Sequence, residues 1–148
     1  MKIEIIAISD SDKHFSSALA EYVKRLGTDV SLIDLKPVKY GTREQIVAAE
    51  TQLIIDQLAK KSIATYLMSK EWKQLTTHEF GAIIPKHDHH VRFIIGWPYG
   101  LDEPLLNSHI QWRIAFGQIT MPHGLAKLVL IEQIYRVQQI IQGRSYHY

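Results

Sequence analysis

The stretch VRFIIGWPYG, Val91–Gly100, carries the reading of the fold. Val91, Phe93, Ile94 and Ile95 make a nearly unbroken apolar run, the pattern of a strand buried on both faces of a parallel sheet. Gly96, Pro98 and Gly100 follow at its carboxyl end. That spacing makes a rigid turn whose backbone can lie close to a ligand, although a plain strand-to-helix turn has the same signature.

Outward from this strand, toward the N-terminus, strands alternate with helices. Lys2–Ser9 is rich in isoleucine and reads as a buried first strand. Asp10, Ser11 and Asp12 offer capping side chains before a helix at Lys13–Leu26, whose Phe15, Leu19, Tyr22, Val23 and Leu26 share one face. Val30–Leu35 reads as a second strand. After Tyr40-Gly41-Thr42, an amphipathic helix is expected over Arg43–Lys61, with Ile46, Leu53, Ile54 and Leu58 in its apolar set. Ile63–Met68 gives a third strand, and a shorter helix at Thr77–Ile84 ends before Pro85.

Toward the C-terminus the pattern predicts a short helix at Glu103–His109, a strand at Arg113–Thr120 and a long helix at Pro122–Gln142. Pro122 suits the first helical position and Gly143 the cap. The alternation predicts an α/β fold, a mostly parallel sheet flanked by helices, as one domain over residues 1–148. Ligands of such sheets bind beyond the carboxyl ends of strands, which points at the loops after Met68, after Gly96 and around Thr120.

Composition bounds the function. With 148 residues, 46% hydrophobic and 22% charged, the chain fits one ordinary globular core. Its formal net charge of +2 makes charge weak support for a nucleic-acid partner. The absence of cysteine excludes disulfides, thiol nucleophiles and thiolate metal sites. The opening MKIEIIAISDSDKHF lacks a signal-peptide pattern, and no apolar run approaches a membrane span, so a cytoplasmic location is expected with no membrane partner. Neither G-x-G-x-x-G nor G-x-x-x-x-G-K-[ST] occurs, so ordinary dinucleotide or nucleoside triphosphate binding gets no support.

A second segment, Ile119–His147, carries chemistry. Ile119, Thr120 and Met121 precede a helix N-terminus, where backbone donors favour polar or anionic groups. Leu128–Ile131 makes the last helix apolar nearly all round, as a central core element or half of a dimer interface. Glu132 and Arg136, one turn apart, are spaced to pair. Lys86-His87-Asp88-His89-His90 reads as a solvated loop rather than a metal site, because its neighbouring side chains diverge and no second cluster completes a tetrahedron. No metal is expected.

FIIG-x-P-x-G at Phe93–Gly100, T-x-P-H-x-L from Thr120, EQ-x-YR from Glu132 and the final Tyr146-His147 together resemble the ribosomal RNA large-subunit methyltransferase H family of the SPOUT class. The resemblance is strong over Phe93–His147 and looser over the whole chain. It implies a SPOUT-type α/β knot, in which the C-terminal part threads a loop to form a trefoil, a rarity among folds. It also implies a homodimer, S-adenosyl-L-methionine as cofactor, and N3-methylation of a pseudouridine in large-subunit ribosomal RNA on the assembled ribosome. By position, the cofactor pocket falls to Tyr66, Leu67, Gly96, Trp97, Gly117, Gln118, Ile119, Thr120, Met121 and Pro122. Trp97 stands where the family has a second glycine, and Ser145 where its tail has proline; Tyr148 replaces a basic residue.

The catalytic roles expected on this resemblance fall to His147, Tyr146 and Arg136. His147 and Tyr146 reach the partner subunit's site, where His147 accepts the proton or orients the base and Tyr146 stacks on it. Arg136 is a candidate for ribosomal RNA phosphate, with an intrahelical partner in Glu132 as the competing reading. His123 lines the pocket or caps its helix. Lys13, Arg25, Lys39, Arg43 and Arg144 are candidate RNA contacts. Three further readings stay open: a SPOUT methyltransferase for another ribosomal or transfer RNA position, a ribosome-binding factor without methyl transfer and, weakest because no phosphate loop follows the first strand, a small-molecule enzyme of flavodoxin-like fold.

Overall fold

A computed structural model describes residues 1–10, 13–96 and 99–146. Five parallel strands, β1 (Lys2–Ile8), β2 (Val30–Leu35), β3 (Ala64–Met68), β4 (His90–Ile95) and β5 (Trp112–Ile114), lie in the order β2-β1-β4-β3-β5. Among the described residues, five α-helices connect and cover them: α1 (Ser16–Leu26), α2 (Arg43–Leu58), α3 (Thr77–Gly81), α4 (Glu103–Leu106) and α5 (His123–Ile141). The expected mostly parallel sheet flanked by helices is what forms.

Strand periodicity explains the two cores. Ile3, Ile5 and Ala7 of β1, with Val91, Phe93 and Ile95 of β4, face α1, α3 and α5 and pack on Leu19, Phe80, Leu130 and Ile134. The alternate residues Ile6, Ile8 and Ile94 face α2 and α4 and pack on Ile54, Leu58 and Leu106. Arg92 falls on this second face yet is only 2% exposed. Its register partner is Glu4, whose Oε2 accepts from Nε at 3.0 Å and Nη2 at 2.8 Å, while Nη1 donates to the Lys61 carbonyl. A buried charge is tolerable when its donors are met in this way.

Element boundaries differ from the sequence reading where local chemistry decides them. Helix α1 starts at Ser16 rather than Lys13, with Phe15 at its N-cap and no side-chain cap; the expected caps Ser11 and Asp12 lie outside the described residues. Helix α2 starts at the expected Arg43 because Thr42 and Gln45 form a reciprocal capping box, and Thr76 with Glu79 repeats the device on α3. Leu53, expected on the apolar face of α2, is 36% exposed, and Glu50 and Thr51 are buried in its stead.

The strand expected over Arg113–Thr120 is cut to three residues, continued by one bridge from Ala115 to Gln74. Its neighbour β3 ends at Met68, which pairs with Ile114, so the backbone beyond has no ladder to join. Pro122 sits at the N-cap of α5 rather than inside its first turn. At the other end Gly143 adopts φ +66, and Arg144 N–H donates to the Gln139 carbonyl while Gly143 N–H donates to that of Ile140. This left-handed cap turns the chain back along the helix.

Candidate active site

Adjacent strands β4, β3 and β5 end side by side, and the connections leaving them enclose a cleft of about 720 Å³. That is within the usual range for small-molecule sites, at the place where open parallel sheets bind ligands. From β3 come Leu67 and Met68, then Ser69, Lys70 and Glu71. The β4 side supplies Ile95, Gly96, Tyr99, Gly100, Leu101 and Glu103. Beyond β5, Ala115, Phe116 and Thr120–His123 form the opposite wall with Ala126 of α5, and Arg43 at the start of α2 stands at the rim.

Packing and hydrogen bonds hold these walls together. A Cβ on Gly96 would meet Leu101 Cγ at 3.2 Å and Cδ1 at 3.4 Å, so glycine lets the β4 turn close against Leu101. Glu103 accepts from Ser69 Oγ at 3.0 Å through Oε1 and from Arg113 Nε at 2.9 Å through Oε2. Arg113 also donates to Asn107 and lies over the Trp72 ring. One carboxylate thus ties the loop after β3 to α4 and β5. Across the mouth, Lys70 Nζ donates to Thr120 Oγ1 at 3.1 Å.

Of the residues expected to bind cofactor, Leu67, Gly96, Thr120, Met121 and Pro122 meet on this cleft. Gly117, Gln118 and Ile119 belong to the same loop but do not line it, and Ile119 is 80% exposed. Trp97 lies outside the described residues. The side chain of Tyr66, the strand position next to Leu67, does not line the cleft. Strand alternation turns it to the opposite face from Leu67, where its ring stacks on Trp112 at 4.8 Å and its hydroxyl meets His87 Nε2 at 3.0 Å. Burial raises the Tyr66 phenol above its ordinary pKa.

Arg136 and Tyr146 gather elsewhere, against α1. Arg136 Nη2 donates to Glu132 Oε1 at 2.5 Å, and Nη1 reaches the Tyr146 carbonyl at 3.4 Å. The Tyr146 ring lies edge-on to Tyr135, under the Arg136 guanidinium, and its hydroxyl is 3.4 Å from both Tyr22 Oη and Glu132 Oε1. The Tyr22 hydrogen bond, burial and the Glu132 charge push the Tyr146 phenol up to about 12, so it stays protonated through the neutral range. The Glu132 hydrogen bond likewise raises Arg136. Neither residue lines this chain's cleft. His147 lies outside the described residues.

The histidine-rich loop is divided among separate partners. His87 serves Tyr66, His90 approaches Glu4 at 3.9 Å, and Asp88 and His89 take φ +51 and +59. Among the described residues no group of three or more His, Asp or Glu is placed to hold a metal ion, and no helix is long and apolar enough to cross a membrane. His123 lines the cleft beside Pro122. The sequence reading missed Ser69, Lys70, Tyr99, Leu101 and Glu103. The strand-end rule pointed to their loops, but nothing in residue type distinguished them from solvated neighbours.

A family model described as "Predicted SPOUT methyltransferase" matches residues 1–147. The chain belongs to the SPOUT methyltransferase family. It is 36% identical to a Streptococcus suis protein, 32% to one from Mycoplasmopsis pulmonis and 31% to one from Listeria monocytogenes, each over 99% of both chains. All three relatives carry the name "Ribosomal RNA large subunit methyltransferase H". A SPOUT methyltransferase needs a seat for a methyl donor, and the cleft at the ends of β3, β4 and β5, at about 720 Å³, has room for one.

Proposed function

We propose that this chain, as one SPOUT domain with a knotted C-terminal segment, uses S-adenosyl-L-methionine to methylate N3 of a pseudouridine in large-subunit ribosomal RNA. The observation that carries the proposal is the cleft itself. It lies in a family member whose full-length relatives bear the name of a ribosomal RNA large subunit methyltransferase.

The residues present fit an adenosyl donor. Leu67, Ile95, Leu101 and Met121 give apolar walls suited to a flat base. Backbone from Gly96, Thr120 and Met121 is free of sheet pairing, leaving amides and carbonyls to read the base edge. Lys70 and Glu103 add both signs of charge, and Ser69 a hydroxyl, for a zwitterionic amino-acid end. When bound, S-adenosyl-L-methionine supplies a methyl group already activated on a sulfonium. The protein's own task is to hold the acceptor nitrogen in line and to take up its proton.

In this reading Tyr146 and Arg136, which stand outside this chain's own cleft, serve the cleft of a second copy, and His147 is assigned with them from the family resemblance. The site is then completed by a homodimer. Tyr146, held neutral by its neighbours, stacks or donates a hydrogen bond but does not serve as base. The proton falls to His147, and Arg136 offers a permanent cation to RNA phosphate.

The test is methyl transfer from labelled S-adenosyl-L-methionine to ribosomes lacking the modification, with the product nucleoside identified by mass spectrometry. Label on a large-subunit pseudouridine is expected, with assembled ribosomes preferred over free subunits. Label on another nucleotide would move the assignment to another RNA. Tight S-adenosylhomocysteine binding without transfer to any RNA would defeat it.

A further inference from the structure

Six arginines occur in the chain, and four of them pair with carboxylates: Arg25 with Glu21, Arg92 with Glu4, Arg113 with Glu103 and Arg136 with Glu132. Arg43 is different. It is exposed at the first position of α2 and has no carboxylate partner among the described residues. A cation there opposes the helix dipole, so neither helix formation nor ion pairing accounts for it. Its guanidinium instead lies over the Tyr99 ring, 5.4 Å from the centroid, and both side chains stand on the cleft wall. Tyr99 is 49% exposed, and Tyr40, just before the capping Thr42, is 89% exposed.

We propose that Arg43 and Tyr99 form an RNA clamp at the mouth of the cleft, gripping the substrate strand beside the methylated nucleotide. A guanidinium held over an aromatic ring keeps its in-plane N–H donors, the fork that fits a phosphate or a base edge. The half-exposed ring gives a neighbouring base a face to stack on. Lys70, on the loop after β3 and held by Thr120 rather than by an acid, gives the mouth a second cation. The chain's small net charge is therefore compatible with RNA binding, because cations free of acid partners stand where the substrate enters. This inference rests on the ribosomal RNA methyltransferase reading and names how its substrate is held.

Steady-state methylation of unmodified 70S ribosomes at several salt concentrations, with calorimetry using S-adenosylhomocysteine, tests it. Arg43→Ala is expected to raise KM for ribosomes about tenfold and to flatten the salt dependence by about one unit of logarithmic slope. Its kcat should stay within about twofold and its S-adenosylhomocysteine affinity should match wild type. Arg43→Lys should restore the salt slope but only part of the affinity. Tyr99→Leu should raise KM with the slope unchanged, and Tyr99→Phe should behave as wild type. Wild-type KM and slope in Arg43→Ala would overturn the clamp. So would weakened S-adenosylhomocysteine binding, which would assign Arg43 to the donor's carboxylate. A wild-type protein that methylates no ribosome would overturn the underlying reading as well, and that outcome shows in the wild-type arm alone.

Discussion

Glu50 shows what one side chain can do to the pH dependence of this fold. It is fully buried on α2; Oε1 accepts from the Val38 amide at 3.0 Å, but Oε2 has no partner. Burial raises its carboxyl above the ordinary range despite that hydrogen bond. A carboxyl raised on folding adds stability below its unfolded pKa and loses it as pH climbs through the folded value. Glu50 therefore destabilises the neutral protein. Glu50→Gln keeps the acceptor for Val38 and removes the ionisation. Thermal melts should show the variant gaining about 1–3 kcal/mol over wild type at pH 7 and losing that advantage near pH 4. An equal difference at both pH values would refute the argument. Neither Glu50 nor Tyr66 was legible in the sequence. Periodicity placed Leu53 inward on α2, and the family resemblance placed Tyr66 at the cofactor pocket, whereas the helix's rotation and strand alternation turn their side chains elsewhere.

Among the elements, the β4 turn concentrates the consequences. The run Val91–Gly96 was readable as a buried strand because its residue types are those of a two-faced parallel strand. What the run did not disclose is that Gly96 packs on Leu101, five residues on. Gly96→Ala must displace that side chain by a few tenths of an ångström, and Leu101 is itself part of the cleft wall. The variant should fold, since its Cβ meets side-chain rather than backbone atoms at close range. Calorimetry should show S-adenosylhomocysteine binding about tenfold weaker, a difference of about 1.4 kcal/mol. Wild-type affinity in a folded Gly96→Ala protein would remove the turn from the donor site. The fifth strand teaches a related lesson. Its expected length came from the pattern along the chain, but an edge strand extends only as far as its neighbour offers pairing.

At the scale of the molecule, the proposed site belongs to two chains. If the cleft of one subunit works with Arg136 and Tyr146 of the other, defects in the two parts should complement. Arg136→Ala and Gly96→Val proteins, each inactive alone, should recover roughly a quarter of wild-type activity when mixed at equal amounts after dissociation and reassociation. Half of the random dimers are then mixed, and each mixed dimer has one intact site. No recovery from folded, exchanging parents would place Arg136 outside the partner's site. The sequence alone determined the alternation of strands and helices, the cleft's address at the strand ends and, through motif order, the family. Those properties follow from local residue type and spacing, which survive without knowledge of the fold. Only tertiary structure decided that Tyr66 faces away from the cleft, that Glu103 joins three elements, and that Arg43 rests on Tyr99 while Arg136 pairs with Glu132. The reason is geometric: where a strand ends and which way a helix turns are set by packing against residues distant in the chain, and sequence spacing carries no measure of that distance.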